Sequence, residues 1–262
     1  MSPELSQPIE AGAAKAPRGR YIYAVVSHHA AQALNFKGLD DRPIYTIAHR
    51  GMAAVVSDLE SDRIRPQRRN LAAHRAVLSG LMAVEEAVLP MRFGIIAANA
   101  TEIKSLLASN REIFENQLKQ IAGKLEMGVR VVLDVPNIFE YFVDAHPELK
   151  EARDRLFGGS SQPSQNDRIE LGRRFERLRE ADRAAHCATV EEDLGPLCAA
   201  IKRGALREDR EMVNLACLVG KDRRAQFEQA VFRAATHFDN NFAFDYNGPW
   251  PPHSFAEIAI KG

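Results

Sequence analysis

The 262-residue chain is short of three things: it has three cysteines, one tryptophan and no excess of either charge, with 35 Lys and Arg against 35 Asp and Glu. Each scarcity excludes something. Three cysteines cannot build a disulfide framework, and an odd count suits a reducing compartment, the cytoplasm. Zero net charge leaves no bulk field to attract nucleic acid, and it removes self-repulsion between copies. No apolar run approaches the roughly 20 residues of a membrane span. The opening MSPELSQPIEAGAAKAPRGR has no signal-peptide apolar core. Sixteen Gly and 13 Pro are too few for a low-complexity or collagen-like chain. What remains is an ordinary globular composition, 45% hydrophobic and 27% charged. At about 150 residues per domain the length suits one or two domains.

Pattern divides the chain. Residues 1–19 are Pro, Ala, Gly and polar residues without periodicity and read as a disordered tail. Tyr21-Ile-Tyr-Ala-Val-Val reads as a strand, and Ile44–Ala48 and Met52–Ser57 flank Arg50-Gly51 as a hairpin. Leu71, Leu78, Leu81 and Met82 share one face of a helix over 67–86. Ala87–Phe93 reads as a buried strand, weakened by Pro90. A single helix follows over 101–123, with Thr101 as N-cap and Gly123 as its stop.

After a junction near Leu125, Val129, Val131, Leu133 and Val135 alternate in a strand that ends at Pro136. Helical pieces follow to Phe157, then a flexible connection over 158–163. Residues 164–193 carry six basic and eight acidic residues and read as a long, largely solvated helix. Pro196 opens another short helix. Met212–Val219, a helix through Phe227, Val231, Ala234 and Phe238, and a strand through Phe242, Phe244 and Tyr246 complete the pattern. This predicts two α+β domains, over 20–124 and 125–247. The second has the order of a ferredoxin-like unit with an enlarged helical insertion. Residues 248–262 form a C-terminal strap.

Catalytic chemistry is hard to find. Cys187, Cys198 and Cys217 have no activating context, and Cys217 falls in a predicted buried strand. Ser27, His28 and His29 follow the first strand but lack a nucleophile-elbow pattern. The eight His residues are scattered and show no metal-ligand spacing. Gly220-Lys221-Asp222 lies between a strand and a helix but lacks the second Gly of a phosphate loop, so it reads as a turn with Asp222 as N-cap. Arg63, Arg65, Arg68, Arg69 and Arg75 form the densest basic stretch, yet no aromatics are interleaved as nucleic-acid binding would need. No catalytic, cofactor-binding or metal residue is expected, nor a nucleic-acid partner.

Two segments stand out. In Val88-Leu-Pro-Met-Arg-Phe-Gly94 an Arg interrupts an apolar strand. It either sits on the open face of a sheet or anchors a partner, and Arg92 and Phe93 are the docking candidates. Tyr246-Asn-Gly-Pro-Trp-Pro-Pro-His-Ser-Phe255 holds the single Trp among three prolines. With fixed φ angles and few donors it reads as a stiff strap outside the sheet. Gly248, Pro249, Trp250, Pro251, Pro252 and Phe255 are its structural residues, and Trp250 and Phe255 would seat in a groove of this chain or of a partner.

Together these segments resemble the gas vesicle protein F/L family (GvpF/GvpL), in which a His is followed by Val-Leu-Pro-x-Arg-Phe-Gly and the chain closes on Gly-Pro-Trp-Pro-Pro-Tyr-Ser-Phe. Here they stand as His74 with Val88–Gly94, and as Gly248–Phe255. His253 replaces the usual Tyr and Ile95 a frequent Thr. Tyr21–Val26 and Gly123–Val131 are similar to the family too.

The resemblance implies an unusual α+β N-terminal domain and a modified ferredoxin-like C-terminal domain. It also implies a non-enzymatic accessory protein of gas vesicle assembly, cytoplasmic and vesicle-associated, without cofactor. Its partners would be the small hydrophobic shell protein and other gas vesicle accessory proteins. The alternative, from strand order alone, is a ferredoxin-like domain that binds or converts a small metabolite.

Overall fold

The computed structural model describes residues 18–27, 37–158 and 162–256. Residues 1–17 of the expected tail, His28-His29 and the middle of the 158–163 connection lie outside them, whereas Gly19, counted with that tail, is the first residue of a strand. The chain divides into two compact units, one ending at Lys119 and the next beginning at Gln120. The division falls a few residues before the expected one at Leu125, inside a helix rather than after it.

The first unit is built on β1 (Gly19–Ser27), β2 (Ile44–His49) and β3 (Met52–Leu59). Arg50 (φ 47°) and Gly51 (φ 84°) make the two-residue turn of the β2–β3 hairpin. Then come α1 (Arg68–Val84), β4 (Val88–Pro90), β5 (Ile96–Ala97), α2 (Ala100–Ser109) and α3 (Arg111–Ile121). The sheet has the order β2-β3-β1-β4, with β5 also on β1, and every pairing is antiparallel.

Several expectations need correcting here. The helix over 101–123 is two helices, broken at Asn110, and Asn99 rather than Thr101 caps the first by accepting from the Glu102 N–H. Leu71 stands 41% exposed, so the buried stripe of α1 is Val77, Leu78 and Leu81. The strand expected over 87–93 ends at Pro90, which cannot donate to the ladder. Arg92 is therefore not inside a strand at all.

The first strand of the second unit is β6 (Lys124–Leu133), whose odd residues from Leu125 to Leu133 are buried. Next come α4 (Ile138–Ala145), α5 (Pro147–Phe157) and α6 (Gln165–Leu194). After β7 (Cys198–Arg203) and β8 (Glu211–Gly220), α7 (Arg224–Ala235) leads to β9 (Phe242–Trp250). The sheet order is β7-β8-β6-β9, antiparallel throughout. Ser164 and Asp167 form a capping box that starts α6. Pro196 sits in a short 3-10 turn over Gly195–Leu197, and Asp222 lies in a similar turn instead of capping α7.

Ion pairs tie α6 and the sheet to the loop between β7 and β8. Arg183 donates to the carbonyls of Glu211 and Asp209, and Arg179 pairs with Asp209. Glu211, 3% exposed, accepts from the Arg207 N–H and from Arg130, which also grips Asp245 on β9. The Arg207 N–H and the Arg130 guanidinium hold the Glu211 carboxyl below the ordinary glutamate value of 4.5. A carboxyl depressed by folding adds stability above its unfolded value and loses it as pH falls through its folded value. Acid unfolding followed by circular dichroism should thus show a limb below about pH 4.5. In Glu211→Gln that limb should flatten, with stability at pH 7 lower by about 1–3 kcal/mol.

A candidate docking site around Arg92 and Phe93

Tyr21 and Tyr23 are fully buried on β1. Residues two apart on a strand share a face, so both project to the side that meets His74 of α1. Tyr23 stacks on His74 at 5.8 Å, and Tyr21 meets it edge-on at 5.6 Å. Phe93 completes the cluster, 5.8 Å from both Tyr21 and His74. Aromatic pairs in this range add to the burial energy.

Hydrogen bonds then fix the turn after β4. The Gly94 N–H donates to the Tyr21 hydroxyl at 3.2 Å, and that hydroxyl lies 2.9 Å from His74 Nδ1. Burial pushes the Tyr21 phenol well above its ordinary value, partly countered by the Gly94 N–H, so it stays neutral. The direction of its hydrogen bond with His74 Nδ1 follows the tautomer of that ring. Tyr23 is neutral for the same reason, its hydroxyl accepting from the Leu39 N–H at 2.7 Å and lying 2.8 Å from Ser57 Oγ. Gly94, at φ 96°, is where the backbone needs glycine.

This scaffold presents Arg92 outward. Its side chain is exposed and, among the described residues, makes no hydrogen bond or ion pair. Phe93 beside it is half-buried against the core. Arg63, Arg65, Arg68 and Arg69, before and in the first turn of α1, are likewise exposed, and that helix start has no acidic residue and no side-chain cap. Cations at a helix N-terminus oppose its dipole.

The C-terminal segment departs from expectation. Gly248, Pro249 and Trp250 do extend the sheet: they are the last residues of β9, and Trp250 pairs with Glu126. The sheet tolerates them because β9 is an edge strand and because Gly248 and Pro249 together oppose Met127, a bulge that takes Pro249 out of the ladder. Only Pro251, Pro252 and the turn ending at Phe255 leave the sheet. Ser254 donates from its N–H and its hydroxyl to Glu126, at 2.8 and 2.7 Å. Phe255 is 3% exposed, with the Lys202 ammonium 5.6 Å above its ring. Trp250, expected in a groove, is half-buried, and its Nε1 donates to Asn247 at 2.8 Å.

Elsewhere, no three His, Cys, Asp or Glu among the described residues are placed to hold a metal ion. Burial pushes the Cys187 thiol up to about 11. Among the described residues no helix is long and apolar enough to cross a membrane.

The family model described as gas vesicle synthesis protein GvpL/GvpF matches residues 19–257. The chain belongs to this family. Gas vesicle protein F of a Nostoc species is 26% identical over 92% of this chain and 99% of its own length. Gas vesicle protein F2 of Halobacterium salinarum is 28% identical over 92% and 93%. Gas vesicle protein L1 of the same organism is 25% identical over 97% and 96%. The crystal structure of GvpF from an Anabaena species superposes with a TM-score of 0.83 at 24% identity, covering 92% of this chain and 99% of that one. That likeness shows the fold: mixed helix and sheet with two antiparallel sheets. The two GvpL/GvpF signature segments serve different units. Val88–Gly94 makes the braced turn of the first, and Gly248–Phe255 makes the bulged edge strand and the turn of the second.

Proposed function

We propose that the chain is a non-enzymatic accessory protein of gas vesicle assembly that binds the small hydrophobic shell protein through the first unit and helps nucleate its lattice. Family membership supports the role in gas vesicle formation, and the relatives bear the names of gas vesicle proteins rather than of enzymes. Arg92 carries the residue assignment. It is an outward guanidinium with no partner among the described residues, beside a half-buried Phe, on a turn braced by four aromatic rings. Arg and aromatic anchors of this kind dominate binding energy at protein interfaces. The same reading takes the two units as two domains and the second as ferredoxin-like. The support is its order β7-β8-β6-β9, with helices between β6 and β7 and between β8 and β9.

The test is co-expression of the tagged chain with the shell protein and quantitative recovery of the complex. Arg92→Glu, on an exposed side chain, should leave the melting temperature within about 2 °C. Recovery should fall at least about tenfold, as for loss of an anchor worth 1.4 kcal/mol or more. Unchanged recovery with Arg92→Glu would remove Arg92 from the interface. Absence of any complex with the parent chain would sink the partner assignment itself.

A further inference from the structure

All three cysteines lie in the second unit, and the fold treats them differently. Cys187 is buried on α6, where its thiol donates to Glu191 Oε1 at 3.6 Å. Burial and that carboxylate keep this thiol protonated.

Cys198 and Cys217 sit on neighbouring strands, β7 and β8. Ile201 lies opposite Cys217. In a regular ladder Cys198, three residues before Ile201, would point to the other face of the sheet. However, β7 carries one extra residue: Cys198 pairs with Val219, and Ala200 pairs with the next residue along, Leu218. The bulge turns Cys198 onto the face that Val219 and Cys217 share, both of them fully buried. There the two thiols meet, and the Cys217 S–H donates to the Cys198 sulfur. Cys198 is half-buried at the start of an edge strand, so one thiol is reachable from water and the other only from its neighbour. The donated hydrogen bond lowers the Cys198 thiol below its ordinary value, against the effect of burial. The same bond, with burial, raises Cys217. A lowered, accessible thiol beside a protonated one is the arrangement of a nucleophilic and a resolving cysteine.

We propose that Cys198 and Cys217 form a peroxide-responsive dithiol that closes to a disulfide and clips β7 to β8. Cys198 loses its proton to solvent, and its thiolate attacks one oxygen of hydrogen peroxide. The O–O bond breaks, leaving a sulfenic acid on Cys198 and a hydroxide that takes up the released proton. The Cys217 sulfur then attacks the sulfenic sulfur. The S–S bond forms, the S–O bond breaks, and the departing hydroxyl leaves as water with the Cys217 proton. Two thiols have reduced one peroxide to two waters. A reducing compartment holds the pair as thiols at rest, and thiol reductants reopen the bond. The closed bond encloses the loop through which Asp209 and Glu211 hold Arg179 and Arg183 of α6.

The experiment treats the full chain with hydrogen peroxide and counts thiols by alkylation after denaturation, with intact mass and peptide mapping. The three free thiols should fall to one. The mass should drop by about 2 Da, the two hydrogens lost. The map should join Cys198 to Cys217 and leave Cys187 alkylated, and dithiothreitol should restore all three thiols. Amide exchange in β7 should slow at least about tenfold in the oxidised chain, because an edge strand tied to its neighbour opens less often. In Cys217→Ser, Cys198 should stop at the sulfenic acid and be trapped by dimedone. In Cys198→Ser the other two thiols should survive the same dose, and Cys187→Ser should close the bond as the parent does. Circular dichroism confirms that each variant is folded. A bond through Cys187, a bond between two chains in place of the internal one, three intact thiols at a dose that oxidises free cysteine, or unchanged exchange in β7 would overturn the proposal.

Discussion

Tyr21→Ala should destabilise the first unit by about 3–5 kcal/mol, the range for truncating a buried aromatic to alanine. The loss has three parts. The ring is fully buried and touches Tyr23, His74 and Phe93. Its hydroxyl is the acceptor of the Gly94 N–H and the neighbour of His74 Nδ1. Removing it also frees the turn that carries Arg92. Tyr21→Phe separates these parts, because it keeps the ring and deletes only the hydroxyl. It should cost about 1–3 kcal/mol, the price of stranded polar groups. Shell-protein recovery should drop in Tyr21→Phe while most of the fold is retained. Chemical denaturation of both variants, beside the pull-down, provides the check. If Tyr21→Phe matched the parent in stability, the bridge from β1 through Tyr21 to His74 and Gly94 would have no energetic role.

Gly248→Ala should be the most damaging single methyl in the second unit, at about 2–4 kcal/mol. Gly248 has φ 126°, where side chains other than glycine's hydrogen are strained. A Cβ there would stand 3.0 Å from the Glu126 carbonyl oxygen and 2.9 Å from Met127 Sδ. The thioether can move, but the strand backbone cannot. Relief would require opening the bulge, which withdraws Trp250 from Glu126 and loosens the Ser254–Glu126 contacts that hold Phe255. The single tryptophan reports this directly. Gly248→Ala should lower the melting temperature by about 4–12 °C for a unit of this size. It should also shift Trp250 emission to the red and raise its quenching. A parent-like melt with unshifted emission would show that the bulge absorbs the methyl.

Different elements were legible in the sequence to different degrees, and the reasons are physical. The β2–β3 hairpin could be read because Arg50-Gly51 admits positive φ between two β-rich runs. Strand β6 could be read because strict alternation has only one burial solution. The α2–α3 break could not, because the apolar stripe runs on through Asn110 and the break depends on how the two helices pack. Pro-rich Gly248–Trp250 looked unable to join a sheet, and a central strand would have refused it. An edge position with one extra residue accepted it. Arg92 and Phe93 were legible as unusual residues in an apolar run, but the rings that brace them come from β1 and α1, distant in sequence.

By itself the sequence determined the class of this protein. Its alternations and helical stripes indicate a chain of mixed helix and sheet, and two short segments resemble its family. Which residues share a surface was decided only by tertiary structure. Burial of a phenol beside His74 pins one turn, and a bulge turns a proline segment into an edge strand. Those outcomes depend on contacts between residues far apart in the chain, and local propensity does not encode them.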